Sequence, residues 1–182
     1  LKTGLTSGKD FGFADFNINT DLISYVYFGN GDDDFMRWTG AHTNINGALS
    51  GAETTITVDD TTDGFTATGS IILCGTEVTY TGKTGTTFTG ASGTPVCADN
   101  KGVAQAALTN SGNPKGNIYI VHSNRLFIAG TTSTPQAVFF SKYGDAMTFT
   151  TTSLVTDTTA EDSGIFNLGE GGGGVIGMVQ DE

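Results

Sequence analysis

Three adjacent carboxylates, Asp32-Asp33-Asp34, follow Gly29-Asn30-Gly31 and form the densest group of ligating side chains in the chain. Such a run suits a hard cation such as Ca²⁺, which takes about six to eight oxygens. A calcium loop of the EF type, however, spaces its ligands at alternate positions and adds a distal Glu, and this run does neither. The plainer reading is a solvated acidic loop that keeps a strand edge from pairing. A second group, Asp59, Asp60 and Asp63, runs into Asp63-Gly64 and reads first as a turn. His42 and His122 are the only histidines, and no His-x-x-x-His or Cys-x-x-Cys spacing exists, so a zinc site is not expected. Gly-x-Ser-x-Gly is missing, so no nucleophile elbow is expected either. Gly171 to Gly174 lacks the Gly-Lys-Ser/Thr of a phosphate loop and reads as a link. These residues predict no catalytic group, no metal and no other cofactor.

Cys74 and Cys97 stand 23 positions apart. A disulfide between them would stabilise by roughly 3 kcal/mol in the chain-entropy picture. Each also follows apolar residues, Ile71-Ile72-Leu73 and Val96, so two buried thiols fit the same pattern. Trp38 and Arg125 are expected to be packed, structurally costly side chains, with Arg125 bonding neighbouring carbonyls. Eight basic residues against 19 acidic give a formal net charge of −11. Phosphate neutralisation needs clustered Lys and Arg, so nucleic acid is an unsuitable partner, and anionic membranes are disfavoured for the same reason. No apolar run approaches the ~18 residues of a membrane span. The start, LKTGLTSGKD, has neither an initiator Met nor a leader pattern, and the other end stops after Val175–Val179, which reads as the opening of a strand. The expectation is a portion of a longer polypeptide.

The elements that must position these residues are strands. Short runs of β-branched and aromatic residues, 27 glycines and only 3 prolines predict an all-β fold with frequent turns. Val103–Leu108 is the one stretch with helix propensity, and it is too short to stand without tertiary support. Residues 1–45 contain Ile23–Phe28, a loop with Asn30-Gly31, and Phe35–Trp38, the pattern of a hairpin with a wide connection. Residues 46–98 change texture and predict four short strands, Thr54–Val58, Ser70–Leu73, Glu77–Tyr80 and Thr86–Thr89, as a small β-barrel or sandwich inserted at a loop tip. Residues 99–182 resume the first style. Ile118–Val121, Leu126–Ala129, Ala137–Phe140 and a run ending at Phe149 match one four-stranded propeller blade in size, and a further strand is expected at Ile165–Leu168. A blade cannot stand alone, because its faces need neighbours. Without the insert, roughly 130 residues remain, about three blades, whereas closure takes about four to eight.

The order YVYFGNG, RWTG, NPKGNIYIVHSNRLFIAG and QAVFFSKYGDAMTF resembles the propeller-type region of tailed-bacteriophage virion structural proteins, with the matching positions at Asn124 to Gly130 and Val138 to Phe149. Ala146 departs from that pattern, which often has Pro after the Gly-Asp. The 46–98 module resembles a small β unit of phage tail and baseplate proteins, at Thr54–Val58, Gly64-Phe65, Gly69, Glu77, Tyr80-Thr81-Gly82 and Gly85–Gly90. Cys74 and Cys97 lie outside that unit's usual pattern. The two likenesses cover about two-thirds of the chain.

The resemblance implies a structural component of a virion, in the tail or neck, built of partial propeller-like antiparallel blades with an inserted module. The implied partners are other virion subunits, in a homo-oligomeric ring, with a host surface glycan or receptor as a further one. The alternative is a secreted or surface adhesin or carbohydrate-binding β-propeller, for which Trp38, Tyr80 and Phe88 would supply an aromatic platform. Ser141, Tyr143, Gly144, Asp145 and Phe149 are similar to the Asp-box of sialidase-like propellers, but position 143 is Tyr rather than Asp. Arg37 and Arg125 are the only arginines, too few for sialidase chemistry. A glycan-cleaving tail enzyme would need carboxylates on facing loops, for which Asp32–Asp34 with Glu161 or Asp162 are the candidates.

Overall fold

A computed structural model describes residues 2–17, 23–149, 162–169 and 173–179. Every regular element within them is a strand, the ladders are antiparallel, and none of the sheets closes into a barrel. The all-β expectation holds. The chain divides into two compact units, Leu1–Gly4 with Trp38–Leu108, and Leu5–Arg37 with Thr109–Glu182.

The first unit is wider than residues 46–98 because both flanks of that stretch are strands of its sheet. His42–Asn44 pairs with Gly102–Gln105 in the register Thr43↔Val103, and Gly102–Gln105 pairs with Gly69–Leu73. Thr76–Tyr80 completes the four strands. This pairing overrides the helix propensity around Val103: most of the stretch becomes strand because each alternate side chain is then buried. A three-stranded sheet, Thr55–Thr57, Thr87–Thr89 and Gly82–Lys83, and a two-stranded ladder, Leu49–Ser50 with Val96–Cys97, complete the unit. Ile71, Leu73, Val78 and Tyr80 point into one core with Ile45, Ile56, Phe65, Phe88 and Val103. The rings of Phe65 and Tyr80 lie 5.0 and 4.9 Å from that of Phe88. Each such buried side chain contributes roughly 1.5–3 kcal/mol.

The second unit holds two sheets. One orders Gly12–Phe16, Tyr25–Gly29, Met36–Trp38 and Leu108–Thr109. The other orders Ile118–His122, Arg125–Ala129 and Ala137–Lys142. The fourth place in this sheet departs from the expected order. Gly164–Asn167, one residue ahead of the predicted Ile165–Leu168, pairs along Ala137–Phe140, and Asp145–Phe149 reaches only Ser141 and Lys142 across a break in register. The Asp145 carboxylate takes the Met147 N–H at 2.8 Å and the Thr148 hydroxyl at 2.7 Å, so a donor a regular ladder would use is turned inward. Val175–Val179 is not a strand; the Val175 N–H donates to Pro135 O at 2.8 Å, and Ile176 and Val179 are 98% and 91% exposed. The polar stretch after Phe149, through residue 161, lies outside the described residues.

Candidate functional site

The acidic loop is built by Asn30. Its Oδ1 accepts the N–H groups of Asp32 (3.1 Å) and Asp33 (2.9 Å), and its Nδ2 donates to Asp33 at 2.8 Å. This side-chain turn splays the three carboxylates apart. Asp33 accepts from Thr6 N at 2.7 Å and Thr6 Oγ1 at 3.0 Å, and the Thr6 amide, with Asn30 behind it, holds the carboxyl below its ordinary range. Asp32 pairs with Lys9 at 2.8 Å and Asp34 with Lys115 at 2.9 Å. The three acids therefore clasp two other segments, the one that carries Thr6 and Lys9 and the one that carries Lys115. Among the described residues, no group of three or more His, Cys, Asp or Glu is placed to hold a metal ion. Beside the clasp runs a groove of about 630 Å³ with Asp32, Asn113, Lys115 and Thr131 to Thr134 on its walls. The Thr131 hydroxyl there is already bound to Thr134 O at 2.9 Å.

The first unit has a polar centre that sequence reasoning missed. Gln105 is fully buried: its Nε2 donates to Ser70 O at 2.7 Å, and its Oε1 accepts Thr66 N at 3.0 Å and the Tyr80 hydroxyl at 3.2 Å. Tyr80 also donates to Thr66 O at 2.8 Å. The network ties the Phe65–Thr68 loop to the sheet. Trp38 is half-buried and donates its indole N–H to Gln105 O at 2.8 Å. Tyr80 and Phe88 are core residues and supply no exposed platform, because their rings fill the space around Phe65. Cys74 and Cys97 are disulfide-bonded, with Cα atoms 6.2 Å apart. Cys74 (φ 48°) and Gly75 (φ 78°) form the two-residue turn between paired Leu73 and Thr76, where a positive φ at both centres matches the strand twist.

Asp59, Asp60 and Asp63 are exposed on a loop held from within by Thr62. The Thr62 hydroxyl donates to Thr84 O, its carbonyl accepts Lys83 Nζ at 2.7 Å, and its own side chain is buried. Glu53 closes another turn, accepting from Ser50 N at 2.6 Å, Ser50 Oγ at 2.7 Å and Gly51 N at 3.0 Å. These donors, the Ser50 amide first, hold its carboxyl down to about 2.

The second sheet of the larger unit is apolar on both faces. Tyr119, Leu126, Ile128, Ala137, Phe139 and Ile165 are buried on one side. On the other, the register sets Ile120 against Phe127, Phe127 against Phe140, and Phe140 against Gly164. The Phe127, Phe140 and Phe166 rings follow one another at 6.0 and 6.1 Å across three strands, Phe127 and Phe140 partly and Phe166 40% exposed. Arg125 lies over Phe140 at 5.3 Å and donates to Ser141 O at 2.6 Å and Asp162 O at 2.5 Å. Exposed His122 pairs with Arg125 across the hairpin, and exposed Lys142 follows Phe140 on the same strand. The Asp-box-like residues are turn chemistry: buried Ser141 accepts Leu126 N at 2.9 Å, and Tyr143 accepts Asn124 Nδ2 at 2.8 Å. Asp162 contributes its carbonyl to Arg125, and Glu161 lies outside the described residues.

No family model, curated protein or solved structure matches the chain.

Proposed function

We propose that this protein is a structural subunit of a tailed-bacteriophage particle, in the tail or neck, which acts as an assembly scaffold through contacts with neighbouring subunits. The observation that carries the reading is the sheet with two apolar faces. A sheet exposed to water alternates apolar and polar residues, whereas one buried on both sides does not. The row Phe127–Phe140–Phe166, with Ile118 and Ile120 beside it, is the second kind of pattern on a face that is only partly covered. A packing partner of sheet-like flatness suits it, as the next blade of a propeller or the wall of an adjoining subunit would. The clasped acidic loop, the buried Gln105 network and the disulfide support rigidity, the property a scaffold needs. The phage assignment itself rests on the motif resemblance in Asn124–Gly130 and Val138–Phe149.

The test is immunogold electron microscopy of purified particles, with antibody raised to this chain. Label at a fixed place on a tailed particle supports the virion role, and its position separates neck, tube and tip. Label on cell envelopes, or only on soluble material, refutes it in favour of an adhesin.

A further inference from the structure

We propose that the groove beside the acidic clasp is a binding site for an uncharged oligosaccharide. Three segments of one unit enclose it, Gly31-Asp32, Gly112–Lys115 and Thr131–Thr134, together with buried Phe139. Its volume of about 630 Å³ falls inside the range of roughly 300–1,000 Å³ usual for small-molecule sites. Both walls are fixed without any ligand. Thr131 Oγ1 donates to Thr134 O at 2.9 Å and accepts the Thr134 N–H at 3.2 Å, while Asn30 and two ion pairs hold the acidic loop opposite. A site shaped in advance loses little conformational freedom on binding.

The chemistry of the walls selects the ligand. Their two charged residues are already matched, Asp32 by Lys9 at 2.8 Å and Lys115 by Asp34 at 2.9 Å, and Asp33 is turned away to Thr6. An ionic ligand finds no unpaired counter-charge there. The polar groups that remain are neutral. The Asn113 carboxamide and the Thr132 and Ser133 hydroxyls line the groove and have no partner among the described residues. Asn113 is half-buried, yet neither polar atom of its side chain is sealed from the surface. Amides and hydroxyls both donate and accept, so the set suits a ligand that carries donors and acceptors side by side. Buried Pro114 and Phe139 add an apolar lining. A sugar chain has both properties, hydroxyls around its rings and C–H groups on their faces. The groove is open rather than enclosed, which admits a chain as well as a single ring.

The experiment titrates the purified, isotope-labelled chain with neutral hexasaccharides of glucose, mannose, galactose and N-acetylglucosamine, and follows backbone amide shifts by nuclear magnetic resonance. Inorganic phosphate and a galacturonate hexasaccharide serve as charged comparators. The expected result is a saturable shift with at least one neutral sugar, confined to the amides of Gly112, Asn113, Lys115 and Thr131–Thr134 and their neighbours. Asn113→Ala and Ser133→Ala should each weaken that binding about three- to tenfold, the scale of one neutral hydrogen bond. Neither side chain bonds another described residue, and an unchanged amide spectrum away from the groove checks folding. Four results overturn the proposal: no saturable shift with any of the four neutral sugars, shifts that map elsewhere, variants that bind like wild type, or a charged comparator that binds these residues more tightly than every neutral sugar. The site would add a binding role to a structural subunit but does not rest on that assignment, so the titration and the immunogold result fail separately.

Discussion

Gly29 faces Tyr119 so closely that a single methyl group there would test how the two sheets of the larger unit meet. A Cβ on Gly29 would overlap the Tyr119 hydroxyl oxygen, with Gly116 O at 2.9 Å and Tyr119 Cζ at 3.1 Å. The hydroxyl has nowhere to go: Tyr119 is buried and donates to Gly116 O at 3.0 Å. Burial also pushes its pKa well above the ordinary tyrosine value. Overpacking of this kind costs about 1–3 kcal/mol. Glycine-to-alanine in a strand returns about 0.5–1 kcal/mol through the unfolded chain, so Gly29→Ala is expected to destabilise by about 1–2 kcal/mol net. Tyr119→Phe alone should cost only about 0.5–1 kcal/mol, because Gly116 O keeps its second donor, Gly31 N, at 3.1 Å. The double variant removes the overlapping oxygen, and the methyl then meets only ordinary crowding. Its destabilisation should therefore fall short of the sum of the singles by about 1 kcal/mol or more, a coupling expected of groups in contact. Scanning calorimetry reads this as about 2–4 °C of Tm per kcal/mol for a chain of this size, with hydrogen exchange at Ile118–Val121 assigning the loss to this unit. Additive singles, or a Gly29→Ala variant as stable as wild type, would refute the packing described.

Three further outcomes are expected. Gln105→Leu leaves the Thr66 N–H without its acceptor, while Ser70 O keeps the Ala106 N–H and the Tyr80 hydroxyl keeps Thr66 O, and should lower stability by about 1–3 kcal/mol in urea unfolding. Reduction of the Cys74–Cys97 bond, or Cys97→Ala, should cost roughly 3 kcal/mol and release protection at the amides of the Leu49–Ser50 and Val96–Cys97 ladder, read by hydrogen exchange. The folded-state pKa of Asp33 is lowered, so its contribution is present above the unfolded carboxylate value and is lost as pH falls through the lowered one. Asp33→Asn should therefore flatten the acid side of the stability curve, and a Tm profile below about pH 4 that is identical to wild type would contradict it.

Much of this fold was legible locally. The runs Ser70–Leu73 and Glu77–Tyr80 alternate buried and exposed side chains with a tight turn between, so their hairpin needs no information beyond a dozen residues. The same is true of Ile118–Val121 with Leu126–Ala129. The failures share one cause: a strand's partner is chosen by packing, which periodicity does not encode. His42–Asn44 has no strong strand signal and becomes one by pairing with Gly102–Gln105, far along the chain. Gly164–Asn167 displaces Asp145–Phe149 from most of the edge of Ala137–Lys142 because a local carboxylate turn bends the nearer strand away. Both fates of the two cysteines fitted the apolar runs before them, and only the meeting of the Leu73–Thr76 turn with Val96–Cys97 decides between them. Gln105 reads in sequence as one more polar residue; its importance comes from three backbone segments converging on it. The partly open aromatic row could have been suspected from the unbroken apolarity of Ala137–Phe140, a pattern that needs cover on both faces.

The indole of Trp38 gives the molecule a spectroscopic asymmetry. It is the chain's one tryptophan, and it belongs to the Trp38–Leu108 unit, with its N–H held by Gln105 O. Selective tryptophan excitation therefore reports on this hydrogen bond and on the end of the Met36–Trp38 strand that carries the indole. Its emission should shift to longer wavelength when the indole loses this carbonyl to water. The larger unit, with Tyr25, Tyr27 and Tyr119 buried in it, should answer in the near-ultraviolet tyrosine bands. Two optical channels of an unlabelled protein would thus follow two parts of one chain, and the order in which they change under denaturant would give the hierarchy of its unfolding.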